Sequence, residues 1–240
     1  NERLDKCIDA YSDEFNYSLD NDVMLNWYAR RIIEKTEPEN TSLELGIGHG
    51  YTTNHFSNYY NEHFAIDGSD LIIEKFKETY PDSTSHLINS YFENFETDQT
   101  FDIIIMGFVL EHVDDPAQIL NHFKKYLSPN GRCFVSVPNA ESLHRRFGHA
   151  AGLLPDMMAL GSADKVLGHQ RSYTVSSMAT QLEYCGYKII NTEGIFLKPI
   201  TTTQIKSLEL TKDVLEGMCK VGIDYPELSL GLLFEVELVK

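Results

Sequence analysis

The chain has 240 residues, 42% of them hydrophobic and 23% charged, a composition that excludes an intrinsically disordered chain. Its 20 Lys and Arg stand against 36 Asp and Glu, a net charge of −16. Nucleic acid is therefore excluded as a partner unless basic side chains gather in one patch, and no basic run is longer than Arg30-Arg31, Lys124-Lys125 or Arg145-Arg146.

Cys7, Cys133, Cys185 and Cys219 are far apart and form no CxxC pair, so they read as ordinary thiols of a reducing compartment. The first residues are polar, and no run approaches the ~18 apolar residues that a membrane span needs. These features predict a soluble, cytoplasmic protein with no membrane partner.

Residues 4–35 read as helical, with Trp27, Tyr28, Ile32 and Ile33 on one apolar stripe, before Pro38 and Asn40 punctuate the chain. Short apolar runs then alternate with helical stretches: SLEL, HFAID, SHLI, FDIIIM and RCFVSV read as buried strands. Such alternation predicts βαβ units and an α/β fold, a mostly parallel sheet with helices on both faces. Next, LHRRFGHAAGLLPDMMAL reads as helical within a segment too long for a simple connection. YTVSSMATQLEYCGY predicts a helix ending near Gly186, and KIINTEGIF a sixth strand. Residues 199–224 predict a second helical insertion, and LGLLFEVELV a seventh strand that crosses at the sheet edge. Both insertions follow strand carboxyl ends, where open α/β sheets hold ligands, so they are expected to act as lids.

The sharpest feature is LELGIGHG, residues 43–50, at the junction of the first strand and first helix. Gly46, Gly48 and Gly50 let the backbone turn tightly and approach a ligand without Cβ obstruction. Glu44 precedes them, placed to meet a cationic amine. Asp67, at the end of the second strand with Gly68 beside it, can accept from both ribose hydroxyls of an adenosine. Ser69 or Asp70 can cap the next helix instead, which leaves Asp67 for a ligand. A dinucleotide fingerprint would read G-x-G-x-x-G, but Tyr51 stands at its third glycine.

The E-x-G-x-G-x-G spacing instead resembles the first motif of class I S-adenosylmethionine-dependent methyltransferases, and further segments resemble that family in order. NSYFENF resembles its adenine-contacting loop, with Asn89 or Ser90 where the family often carries an Asp, and with Tyr91 and Phe92 able to pack on the ring. TFDIIIMGFVLEHVDDPAQIL resembles its fourth strand, which implies that Met106 and Gly107 lie near the methionine part of the cofactor. LSPNGRCFVSVPN resembles its fifth-strand motif. PNAESLHRRFG, GHQRSYT and FLKP look like segments of bacterial small-molecule O- and N-methyltransferases. The resemblance implies a Rossmann-like seven-stranded sheet and S-adenosylmethionine as cofactor. It also implies a single domain: a helical cap over 1–40, a cofactor-binding core over 41–138, and acceptor-site lids over 139–170 and 199–224.

Methyl transfer needs alignment above all; a hydroxyl acceptor also benefits from a base, for which His is suited. His112 in LEHV and His169 are the expected catalytic residues. Arg145, Arg171 and Lys198 are expected to hold a carboxylate or phosphate on the acceptor, with His144, Tyr173 and Tyr11 beside it. Tyr17 and Tyr28 are further residues able to fold over the cofactor. The expected acceptor is a hydroxyl or amine on an anionic sugar or metabolite. No His/Asp/Glu cluster has metal-ligand spacing, so no metal is expected. The alternatives are a nicotinamide-dependent oxidoreductase, or a cofactor-binding protein of this fold without turnover. The oligomeric state stays open, a homodimer included.

Overall fold

The computed structural model describes residues 18–239. Seven strands form one sheet: β1 Thr41–Leu45, β2 Glu62–Asp67, β3 His86–Asn89, β4 Phe101–Gly107, β5 Leu127–Pro138, β6 Tyr187–Ile195 and β7 Gly231–Leu238. Their order is β3-β2-β1-β4-β5-β7-β6. Pairing is parallel from β3 to β5, and β7 runs antiparallel to both β5 and β6. The expected seventh strand therefore lies inside the sheet, not at its edge. Its stretch Gly231–Leu238 is buried along most of its length, and it hydrogen-bonds on both sides.

The central strands read as unbroken apolar runs because both faces are covered. On β4, Ile104 and Met106 point into one core with Leu43, Leu45, Val135 and Phe234, while Ile103 and Ile105 point into a second with Phe134 and Leu233. Helix α1, Ser18–Ile33, lays Met24, Trp27, Tyr28 and Ile32 on the second core. Each fully buried side chain of this kind contributes about 1.5–3 kcal/mol.

After β1 comes α2, Tyr51–Tyr59, and after β2 comes α3, Asp70–Thr79. Helix α4, Pro116–Phe123, has Pro at its first turn and an Asp115 cap. The expected long helix after β5 is broken. It forms α5, Leu143–Ala150, and then Gly152 at φ +73° closes it in the left-handed conformation. Turns follow up to α6, Ser162–Val166. Helix α7, Val175–Tyr184, carries a capping box at Thr174 and Ser177. The segment after β6 holds α8, Thr202–Ser207, and α9, Lys212–Gly222. Among the described residues no helix is long and apolar enough to cross a membrane.

Strands β2 and β3 lie to one side of β1 and β4 to the other, so the strand order reverses between β1 and β4. Connections diverge there and leave a crevice at the strand carboxyl ends.

Candidate active site

A cavity of about 880 Å³ opens at that crevice, within the ~300–1,000 Å³ of sites that enclose small ligands. Its floor is the glycine turn. Gly46 has φ +82° and Gly50 φ +80°, values that cost an L-residue roughly 1–2 kcal/mol. At Gly50 a Cβ would also lie 2.8 Å from the Phe76 ring. Glu44 does not face the cavity. It is buried under the start of α2, where it accepts from the hydroxyls of Thr52 and Thr53 and lies 3.4 Å from His63 Nε2. The sequence expectation is corrected accordingly: Glu44 anchors the turn from beneath, because its strand position points it at the first turn of α2.

Asp67 lines the cavity wall. It accepts from the backbone N–H of Ile47 at 3.0 Å and of Ser69 at 2.9 Å, and Gly48 donates as well. A carboxylate offers about four acceptor positions, so capacity for a ligand hydroxyl remains beside these three bonds. Burial pushes its carboxyl upward, against the pull of the three N–H donors. Ser69 is the residue that caps α3, accepting from Ile72.

Gly68, Ser90, Tyr91 and Phe92 line the same end of the cavity. A Cβ on Gly46 would lie 3.9 Å from Phe92 Cζ, so that ring hangs over the glycine turn. Met106 is fully buried in the core. Gly107, Phe108 and Val109 reach the cavity in its place, because alternate β4 side chains point away from it. Gly107 is needed for close approach: a Cβ there would lie 2.2 Å from the Tyr28 hydroxyl. Phe108 takes φ 56°, a left-handed conformation that a bulky residue holds only when its surroundings fix it.

Beyond the turn lies the other end of the cavity. Glu111 is 1% exposed, and neither carboxylate oxygen meets a hydrogen-bond partner from another residue. Burial raises its carboxyl to about 7, opposed by His169, by its own backbone N–H and by Arg171. His112 and His169 meet edge to face with ring centroids 4.7 Å apart. The side chain of His112 is 35% exposed, on the cavity side, and its pKa is lowered to about 3 by desolvation and by His169. Asp164 faces His169 Nδ1 at 3.4 Å, and that contact holds its carboxyl below the usual range.

The expected acceptor-side cations are placed differently. Lys198 is 1% exposed and pairs with Asp20 at 2.6 Å. It does not line the cavity, because the buried carboxylate on α1 takes its charge. Arg171 lines the cavity but donates to the carbonyls of Leu110, Val113 and Asp114. Arg145 likewise lines it and donates to those of Ala140, Met157 and Ala159. His144 is at the wall, held neutral with its pKa pushed to about 3 by burial, Lys198 and Arg145. Tyr173 is buried behind the wall with its hydroxyl 3.4 Å from the Leu110 carbonyl. Tyr11 and Tyr17 lie outside the described residues, and Tyr28 both packs in the core and lines the cavity.

A methyltransferase-domain family model matches residues 22–192, more than two thirds of the chain. The chain belongs to this methyltransferase family. A ubiquinone biosynthesis O-methyltransferase of Dictyostelium discoideum is 35% identical over 69 residues, which span 28% of this chain and 22% of that relative's length. Among solved structures, an S-adenosylmethionine-dependent methyltransferase from Mesorhizobium loti superposes with a TM-score of 0.62 at 16% identity, over 90% of this chain and 98% of that one. The N-methyltransferase NodS from Bradyrhizobium japonicum, solved with S-adenosylhomocysteine, superposes at 0.56 and 14% identity, over 90% of this chain and 86% of that one.

The residues present fit S-adenosylmethionine as the cofactor of this methyltransferase. The glycine turn offers close backbone approach, and the wall carries the carboxylates of Asp20, Asp67, Glu93, Glu111, Asp114 and Asp164 against the guanidiniums of Arg145 and Arg171. Such a lining suits a ligand with a positive sulfur and an ammonium better than one with a pyrophosphate. Sequence reasoning missed Asp20, Glu111 and Asp164. For Glu111 a signal was present, since it sits beside His112 in LEHV; for Asp20 and Asp164 none was.

Proposed function

We propose that this methyltransferase acts on a small molecule presenting a hydroxyl or amine, which enters at the end of the cavity lined by Glu111, His112 and His169. When bound, S-adenosylmethionine supplies a methyl group on positive sulfur, which leaves as a neutral thioether as the acceptor lone pair takes the carbon. In this reading the turn of Gly46, Gly48 and Gly50 holds the cofactor's amino-acid end. Asp67 takes a ribose hydroxyl, and Ser90, Tyr91 and Phe92 enclose the base. Gly107 keeps the floor open above Tyr28. Positioning supplies much of the acceleration, and in this reading His112 and His169, with Glu111, line the place that the acceptor occupies.

The observation that carries the reading is the pair of imidazoles and the buried carboxylate at the far end of a cavity that begins at the glycine turn. The anionic part of the expected acceptor is not retained. Lys198 is consumed by Asp20, both arginines donate to carbonyls, and acids outnumber cations on the wall. A screen with radiolabelled cofactor against matched neutral, cationic and anionic acceptors tests this. Neutral or cationic hydroxyl and amine compounds are expected to accept label, and preference for phosphorylated or carboxylated ones would contradict the reading.

A further inference from the structure

From the side chains at the acceptor end, we infer that Glu111, His112 and His169 form a binding site for a divalent transition-metal ion. Their ligand-capable atoms all lie within 4.8 Å of one another, and all three residues line the cavity. The sequence gives no such sign, because His169 reaches the other two only through the fold.

Three further observations point to a cation. Both oxygens of Glu111 are buried with no hydrogen-bond partner from any other residue. A group left in that state is costly, and a metal ion would satisfy it. Asp164 faces His169 Nδ1 at 3.4 Å, the carboxylate–imidazole arrangement that orients a ligating ring and fixes its tautomer. The ring of His112 is likewise held by the backbone of Gly168 and Leu167. Each imidazole thus has its own outer partner. Arg171 adds one positive charge nearby, set against the carboxylates of Glu111 and Asp164.

Two imidazoles and one carboxylate suit first-row divalent ions such as zinc, cobalt or iron better than an all-oxygen ion. Three protein ligands leave coordination positions open toward the cavity. An acceptor hydroxyl bound there would have its pKa lowered by the ion, which favours a hydroxyl over an amine as nucleophile. That last step rests on the methyl-transfer reading above; the metal site itself does not.

The full chain, stripped with a chelator and dialysed, is titrated with divalent zinc by calorimetry and with divalent cobalt by visible absorption. The wild type is expected to bind about one equivalent and to develop cobalt ligand-field bands. Glu111→Gln and His169→Ala are expected to abolish the bands. Asp164→Asn, a positioning variant, should weaken zinc binding by about 10–100-fold. Circular dichroism spectra and melting curves establish that each variant is folded. Absence of zinc and cobalt binding in the wild type would overturn the proposal, as would equal affinity in wild type and His169→Ala. Because S-adenosylhomocysteine is titrated in parallel, cofactor binding without metal binding sinks this proposal alone, and the converse sinks the cofactor reading alone.

Discussion

Replacing Lys198 by Met separates a structural role from the acceptor-binding role that the sequence suggests. Lys198 and Asp20 are 1% and 2% exposed, 2.6 Å apart, and tie α1 to the segment after β6. Thr202 completes the cluster, donating to the same Asp20 oxygen at 2.6 Å and accepting from Lys198 at 2.9 Å. Lys198→Met leaves a buried carboxylate with a single hydroxyl donor, and breaking a buried pair in this way costs about 3–5 kcal/mol. Asp20 is at the cavity wall and keeps the Thr202 hydroxyl, so the lower end, about 3 kcal/mol, is expected. For a chain of this size each kcal/mol lowers Tm by about 2–4 °C, hence a drop of roughly 6–12 °C. The double variant Asp20→Leu, Lys198→Met removes both charges and should recover most of the loss. Thermal and urea unfolding of the three chains, wild type included, read this directly. A loss under about 1 kcal/mol in the single variant, or no recovery in the double, would refute the reasoning.

Gly107→Ala should destabilise by about 1–3 kcal/mol through overpacking, since its Cβ would lie 2.2 Å from the Tyr28 hydroxyl. Adding Tyr28→Phe should return part of that loss in thermal unfolding, and no return would contradict the assigned clash. His144 has its pKa lowered from 6.5 to about 3 by burial and neighbouring cations. Its folded pKa is depressed, so the unfolded chain binds the extra proton: the stability tied to His144 is intact above pH 6.5 and is lost as pH falls toward 3. At pH 5 that loss is about 1–2 kcal/mol, and His144→Gln should shrink the difference between urea midpoints at pH 7 and pH 5. Asn139 donates to the carbonyl of Ser229 at 2.9 Å and accepts from the N–H of Glu141 at 3.0 Å. Asn139→Ala should therefore cost about 1–3 kcal/mol, checked by the urea midpoint.

Strands were legible because their apolar runs are short, continuous and bounded by turns, and the glycine-rich segment 43–50 could be placed at a strand-to-helix turn from its spacing alone. The position of β7 was not, since its buried run is compatible with an edge or an interior place until its two partners are known. The break after α5 turns on Gly152, which the helical pattern around it masks. Lys198 and Glu44 were misread for one reason: charge and motif position suggest a ligand, whereas Asp20 and the Thr52–Thr53 pair, distant or unremarkable in sequence, claim those groups first. Glu111 was passed over because burial without a partner from another residue is a property of the folded chain and not of LEHV.

The most direct test is calorimetric titration of wild type and Asp67→Ala with S-adenosylmethionine, S-adenosylhomocysteine and NADH. The wild type is expected to bind both sulfur ligands and not NADH, and the variant to lose at least tenfold in affinity, about 1.4 kcal/mol. Binding of NADH without the sulfur ligands, or undiminished affinity in Asp67→Ala, would contradict the cofactor reading.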